Sequence, residues 1–474
     1  MHTECTQKSL SFHALSRREV TGSFDGGRIT SDGGGLLLRE TERVTGIIDG
    51  FARCFTDHRN PLLIEHSVYE LVAQRVYGLA HGYEDLNDHD ELRHDPLMAV
   101  LAGKTDPNGQ FRGRRDRGKA LAGKSTLNRL ELTPPDADSQ SRYKKIVLDD
   151  AAVERLFVDI FQDAHRKAPK QIILDLDATD DPLHGGQEGR FFHGYYKSYC
   201  YLPLYIFCGE FLLCAKLRPS NIDAADGALE EVQRIVEQIR VRWPEVRIIL
   251  RADSGFCREP LMAWCEGCEG VDFVFGLAKN DRLIAEIGPA LRRAKSAHQR
   301  TGQAARRFKD FRYQTLKSWS RRRRVVGKAE HLAKGANPRF VVTSISRNEI
   351  DAATLYEEMY CARGEMENRI KEQQLYMFAD RTSTSKMRSN QIRLWCSSVA
   401  YALMQALRRL GLTGTPLAKA QCHTIRAKIL KIGALIRVTV RRVCVSWSSH
   451  YPYQRLFARI HANLTRRRPA LAYR

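Results

Sequence analysis

The stretch from Gln171 to Leu277 switches repeatedly between β-prone runs and helical periodicity, and the order of those switches constrains the fold more than any other feature of the chain. Gln171-Ile-Ile-Leu-Asp-Leu-Asp-Ala-Thr reads as a strand, Tyr195 to Cys208 is aromatic and β-prone, and Glu210 to Leu217 follows a glycine turn. Ala224 to Arg242 then has helical spacing, with Leu229, Val232, Ile235, Val236 and Ile239 on one face. A strand over Arg247 to Asp253 runs into Ser-Gly, a short helix covers Arg258 to Cys265, and a fifth strand covers Asp272 to Leu277. The order β-β-β-α-β-α-β is that of a mixed α/β sheet that begins with hairpins and continues by crossovers.

Around this segment a chain of 474 residues has room for two to four domains. Residues 1–140 mix helical patterns with the glycine turns Gly26-Gly27 and Gly33-Gly34-Gly35, and Thr133 to Arg142, rich in Pro, Asp and Ser, reads as a linker. Residues 165–280 hold the first part of the sheet. Residues 281–350 read as a small, basic, β-rich insertion: Lys295 to Arg339 carries 14 Lys or Arg against two acids. Residues 351–380 return to a helix, from about Ala352 to Leu375, and residues 381–474 form a basic C-terminal region opening with a helix over Gln391 to Leu410. No internal repeat is visible.

The formal charge is +21, which points to a polyanionic partner. Beyond Asp380 the last 94 residues contain no acid and 19 Lys or Arg, yet also Trp395, Leu403, Leu407, Ile429, Leu435 and Trp447, so this basic region is expected to fold. A folded, acid-free surface attracts phosphate backbones. The first residues lack the apolar stretch of a signal peptide, and Leu202 to Leu217 is broken by Gly209-Glu210 and too short for a bilayer, so no membrane role is expected. Twelve irregularly spaced cysteines suggest reduced thiols in a cytoplasm.

Asp177 lies on the first strand, Asp253 at the end of the fourth, and Glu367 on the helix after the insertion. The carboxyl ends of strands are where sites form in open α/β sheets. Three carboxylates from separate elements can converge on hard divalent cations, and two Mg²⁺ ions roughly 3.5–4 Å apart can activate a water and stabilise the leaving oxygen of a phosphodiester. A single strand-end Asp is more often a cap or turn residue; three in this order within so basic a chain weaken that explanation. On the helix, Tyr360, Arg363, Glu367, Lys371 and Gln374 recur at spacings of three and four and share a face. That face is either a solvated row of ion pairs or a metal ligand flanked by phosphate-binding cations.

Asp177-Ala-Thr-Asp-Asp-Pro-Leu-His-Gly, Arg251-Ala-Asp-Ser-Gly-Phe and Tyr360-Cys-Ala-Arg-Gly-Glu-Met-Glu-Asn-Arg-Ile-Lys-Glu, together with the opening Phe24-Asp-Gly-Gly-Arg-Ile-Thr-Ser-Asp-Gly-Gly-Gly, resemble the bacterial DDE transposases, specifically the thirteen-eighty insertion-sequence family, over nearly the whole chain. The resemblance implies an RNase H-like mixed-sheet core interrupted by a β-rich insertion before the last catalytic helix. It also implies cleavage and joining of double-stranded DNA at the ends of a mobile element in the bacterial cytoplasm, at the nucleoid. By position the triad and metal ligands are Asp177, Asp253 and Glu367, holding two Mg²⁺ with Mn²⁺ able to substitute. Tyr360 and Arg363 match the Tyr-x2-Arg-x3-Glu signature. The wider signature has a Lys seven residues beyond the Glu, where this chain has Gln374; Lys371 is the alternative phosphate contact. Asp175 shares a strand face with Asp177 and competes with it as first carboxylate. Two element ends imply a homodimer in the synaptic complex, and the chemistry requires no ATP.

Trp319 beside Arg321, Arg322, Arg323 and Arg324 is a candidate for stacking and phosphate contact. Lys119 to Leu132 reads as a turn and helix with Lys124 and Arg129 on phosphates; the P-loop letters ending at Lys124-Ser125 lack the preceding strand that a nucleotide site needs. Cys265-x-x-Cys268 has no partner pair for zinc. The tyrosines at 195, 196, 199, 201 and 205 are explained by a half-buried sheet, and His184 and His193 by loop or core positions. Two other readings stay open: a catalytically silent or domesticated DNA-binding relative, and a stand-alone RNase H-like nuclease.

Overall fold

The structure, a computed structural model, describes residues 9–467. They divide into two compact units, residues 149–398 and residues 9–148 with 399–467.

In the first of these, α1 (Asp150–Asp163) precedes β1 (Gln171–Ala178). A small three-stranded sheet follows, of β2 (Asp181–Pro182), β3 (Phe191–His193) and β4 (Ser198–Tyr201), and then the hairpin β5 (Leu204–Cys208) and β6 (Phe211–Lys216). Next come α2 (Ala228–Arg242), β7 (Arg247–Ala252), α3 (Glu259–Gly267) and β8 (Val271–Leu277). After α4 (Gly288–Thr301), β9 (Ala305–Tyr313), β10 (Arg323–Leu332) and β11 (Arg339–Thr343) lead to α5 (Gly364–Met377).

The main sheet runs β6-β5-β1-β7-β8-β11-β10-β9. β5 is antiparallel to β1, whereas β1, β7 and β8 are parallel, with Asp175 opposite Arg251 and Leu176 opposite Ala252. This is the mixed sheet expected from hairpins followed by crossovers. The pleat divides its side chains: Ile248, Leu250 and Ala252 of β7 join the core under α1, α2 and α3, while Ile249 joins a second cluster with Val341, Leu355 and Tyr356 on the other face.

The basic segment read as an insertion holds β9, β10 and β11, and these strands are not a body apart. β11 pairs antiparallel with β8 from Val274–Thr343 to Leu277–Phe340 and extends the same sheet. The edge of β8 would otherwise stand unpaired, and Phe340, Val341 and Val342 are buried by pairing there.

In the other unit, Ala434–Val438 pairs with Val443–Trp447 on one side and with Ile29–Thr30 on the other. A Cβ on Gly34 would lie 1.9 Å from the carbonyl oxygen of Ile429, so the Gly33–Gly35 run is where the basic segment packs against the N-terminal one. Trp447 Nε1 donates to Gly33 O at 2.8 Å, and Lys431 pairs with buried Asp32 at 2.7 Å. The segment Thr133–Arg142 is not the break between units. Phe55–Asp57 pairs with Ile146–Leu148, which ties the chain into this unit as far as Leu148. The C-terminal region expected to start at 381 likewise divides, residues 381–398 belonging with the large sheet. Its helix spans Met387–Leu410. Among the described residues no two cysteines are joined in a disulfide, and no helix is long and apolar enough to cross a membrane.

Candidate active site

Asp175 and Asp177 project from one face of β1, and their environments separate them. Asp175 is buried and accepts two bonds from the equally buried Arg251, Nε to Oδ1 at 2.5 Å and Nη2 to Oδ2 at 2.8 Å. This is a closed bidentate pair. Asp177, two residues nearer the carboxyl end, has no such partner. Continuing the β1–β7 register beyond Leu176–Ala252 sets it beside Asp253.

Asp253 ends β7 and caps the single turn Ser254–Phe256, its Oδ1 accepting the Gly255 N–H at 2.8 Å. Glu367 comes from the first turn of α5. Arg363, at the N-terminus of α5, reaches a carboxylate of its own helix and one of β1: Nη2 lies 2.8 Å from Glu367 Oε1 and Nη1 3.4 Å from Asp177 Oδ1.

The approach to α5 is irregular, a π-type turn over Leu355–Tyr360 followed by a 3₁₀ turn over Cys361–Arg363. Such turns shift side chains off the regular helical face. Here Tyr360 meets β8: a Cβ on Gly276 would lie 2.5 Å from Tyr360 Oη and 2.9 Å from Ser254 N. Gly276 is thus required for the ring to enter beside Asp253. Nothing in the local sequence marks it, because the requirement comes from a helix more than 80 residues on.

Burial pushes the Asp177 carboxyl up to about 7; the negative charges of Asp253 and Glu367 add to the rise, and Arg363 opposes it. The charges of Asp253 and Glu367 thus act on Asp177. The oxygens of all three are the donor set that a hard divalent cation takes, and three carboxylates against one guanidinium leave negative charge for a cation to balance. Among the described residues no three His, Cys, Asp or Glu side chains stand as a ready-made metal-holding group. Arg363 occupies the place between Asp177 and Glu367.

Lys371 is exposed one turn beyond Glu367. Gln374, where the wider signature has Lys, donates to the Asp180 carbonyl at 3.1 Å and anchors the loop after β1.

The Trp319 and Arg321–Arg324 cluster splits. Trp319 is buried, edge-on to Tyr313 at 5.9 Å, and is no stacking surface. Arg323 lies inside between Glu259 (2.6 Å) and Glu266 (2.7 Å), and Arg324 is held by Asp310 (2.7 Å). These two cations are buried and paired with acids, so they are not available to a phosphate. Arg321 and Arg322 remain exposed and line, with Arg312 and Arg347, a cleft of about 830 Å³.

In the other unit Lys124 and Arg129 are exposed on the helix Lys124–Glu131, Lys124 Nζ 3.2 Å from Asn87 Oδ1 and Arg129 5.6 Å from the Tyr143 ring. The residues before that helix form turns rather than a strand. The tyrosine cluster also divides: Tyr201 and Tyr205 are core, whereas Tyr195 and Tyr199 are exposed with Phe192 on the β3–β4 hairpin. The signal was present, since Phe191-Phe192 and Tyr195-Tyr196 place aromatics at adjacent positions, which no half-buried strand can bury together.

The family model described as "Transposase DDE domain group 1" matches residues 12–469. None of the curated proteins matches the chain. Among solved structures, the cryo-EM structure of the piggyBac transposase synaptic complex with hairpin DNA is similar at 11% identity, covering 85% of this chain and 81% of that one with a TM-score of 0.41.

Proposed function

From the premise that this chain belongs to the DDE transposase family, domain group 1, we propose that it cuts and rejoins double-stranded DNA at the ends of a bacterial insertion sequence, and that it is a transposase of the thirteen-eighty group with an RNase H-like core. The observation that carries this reading is geometric: one guanidinium, Arg363, meets Asp177 of β1 and Glu367 of α5, and the β1–β7 register sets Asp177 beside Asp253.

Asp177, Asp253 and Glu367 would hold Mg²⁺, or Mn²⁺ in its place. When bound, such ions supply an activated oxygen nucleophile and stabilise the leaving oxygen of a phosphodiester. The chain's own part is electrostatic and positional. Arg363 offers a forked donor suited to a phosphate, Tyr360 presents a hydroxyl beside Asp253, and Lys371 adds a cation on the same helix. Arg321 and Arg322 on the cleft, and Lys124 and Arg129 in the other unit, are proposed as contacts to the DNA backbone. Two copies of the chain hold the two ends of the element, and the reaction belongs to the bacterial cytoplasm where that DNA lies.

The test is a DNA carrying the element ends, incubated with the full chain and Mg²⁺ beside an Asp253→Asn variant. Cleavage followed by joining in the unsubstituted protein, and neither in the variant, is the expected result. Cutting without joining makes the chain a nuclease. Binding without cutting makes it a silent relative.

A further inference from the structure

We infer that the hairpin β3–β4 is a stacking platform for unpaired nucleobases next to the carboxylate site. The inference rests on the proposed function, because it assumes that a DNA strand passes the carboxylates.

Within the hairpin Phe192 faces Tyr199 and His193 faces Ser198, and residues 194–197 close the turn. The Lys197 N–H donates to the His193 carbonyl at 2.8 Å, and Lys197 itself is left-handed at φ 55°, a strained position for a residue with a Cβ. The turn holds its aromatic residues out from the body. Tyr195 is 83% exposed, Phe192 57% and Tyr199 45%, whereas Tyr201 and Tyr205 further along are buried. Phe192 and Tyr195 leave most of their rings in water, Phe192 edge-on to Tyr199 at 5.5 Å, an apolar surface that folding alone does not account for.

The root of this hairpin is fixed at the candidate active site. Tyr196 Oη donates to the carbonyl of Ala178, the residue after Asp177, at 3.3 Å.

The occupant follows from the chemistry. Arg190 lies 3.9 Å over the Tyr199 ring, and Lys197 is exposed at the turn. Aromatic faces interleaved with cations suit a base attached to a phosphate, a combination that an aliphatic protein surface does not offer. Bases inside a duplex are already stacked on their neighbours, so the platform serves a strand with unpaired bases.

The probes are a 30-base-pair duplex of arbitrary sequence and the same duplex with a five-nucleotide single-stranded gap carrying 2-aminopurine. The full chain is expected to prefer the gapped form and to change the 2-aminopurine emission on binding. The double variant Phe192→Ala, Tyr195→Ala is expected to lose about 5- to 150-fold in gapped binding for each stacked base given up, with paired-duplex binding and the thermal midpoint unchanged. Tyr195→Trp should retain the preference. Equal losses on both duplexes, or no preference in the unsubstituted chain, would overturn the inference. So would a double variant that loses self-association and keeps gapped binding. If the unsubstituted chain cleaves element ends yet shows no preference for the gap, the hairpin inference fails and the transposase reading stands. A chain that binds neither duplex overturns both.

Discussion

Nη1 of Arg363 lies 3.4 Å from Oδ1 of Asp177, so a cation at the start of a helix meets a carboxylate at the end of a strand. The same guanidinium holds Glu367, and it is the chief influence lowering a carboxyl that burial has driven upward. Replacing it should expose what it contributes to the reaction rather than to the fold. Arg363→Gln is expected to slow single-turnover cleavage by about 10²- to 10³-fold, the usual cost of removing one preorganised donor. Duplex affinity should stay within a few-fold, because other basic residues make most of the backbone contacts. An unchanged cleavage rate would reduce Arg363 to a counter-charge for Asp177.

Asp175 and Asp177 make opposite predictions although they share a strand face. Asp175→Asn leaves the buried Arg251 guanidinium without its bidentate partner, and removing one member of a buried pair costs about 3–5 kcal/mol. Asp177→Asn removes a carboxylate already disfavoured by burial and by its neighbours, so unfolding free energy should hold or rise while cleavage disappears. Denaturant unfolding beside a cleavage assay checks both. Stability loss on Asp177→Asn would reverse the assignment.

What was legible in the chain follows what is local. Local pattern marked β1, β6, β7 and β8 and the helix that spans Ala228–Arg242, but the β-prone run Tyr195–Cys208 divides between β4 and β5, which belong to two different sheets, and the short strands β2 and β3 carried no pattern of their own. Strand-end position marked Asp253, position left Asp175 and Asp177 as rivals on one face until the Arg251 pair claimed Asp175, and spacing of three and four marked the Arg363–Glu367 pair. Contacts over long separations were not legible. β11 pairs with β8 some 66 residues earlier, so residues that read as an insertion by charge belong to the sheet by pairing. Gly276 looks like any strand glycine until Tyr360 returns to it. Local pattern also fails where one run of identical residues faces several ways. In Arg321–Arg324, Arg323 turns to Glu259 and Glu266 while Arg324 turns to Asp310, since neighbours in a strand point to opposite faces.

That division makes the four arginines separable by experiment. Arg323→Ala removes a buried guanidinium and its bonds to Glu259 and Glu266, both of which water can partly reach, and is expected to cost about 1–3 kcal/mol of stability, read by denaturant unfolding. Arg321→Ala with Arg322→Ala should leave stability unchanged and flatten the dependence of DNA affinity on salt, by about 0.9 in the logarithmic slope for each phosphate no longer neutralised. A stability loss in the exposed pair, or a changed salt slope with full stability in Arg323→Ala, would contradict the placement.

Glu42 gives the other unit a pH dependence whose sign can be worked out. Its carboxyl is buried and accepts the N–H groups of Ile48 at 2.8 Å and Asp49 at 3.0 Å, at the start of the helix Ile47–Ala52. Burial outweighs those bonds and pushes it from 4.5 up to about 7. Between those values the folded chain keeps a proton that the unfolded chain has released, so stability is fullest below about 4.5 and falls as pH rises through about 7. Glu42→Gln stays neutral throughout, although it gives up one acceptor and with it a constant amount of stability. The unfolding free energy of the unsubstituted chain minus that of Glu42→Gln should therefore fall by about 2–3 kcal/mol from pH 5 to pH 8. A difference that stays level across that range would mean that Glu42 is ionised in the fold, its two backbone donors outweighing the loss of water.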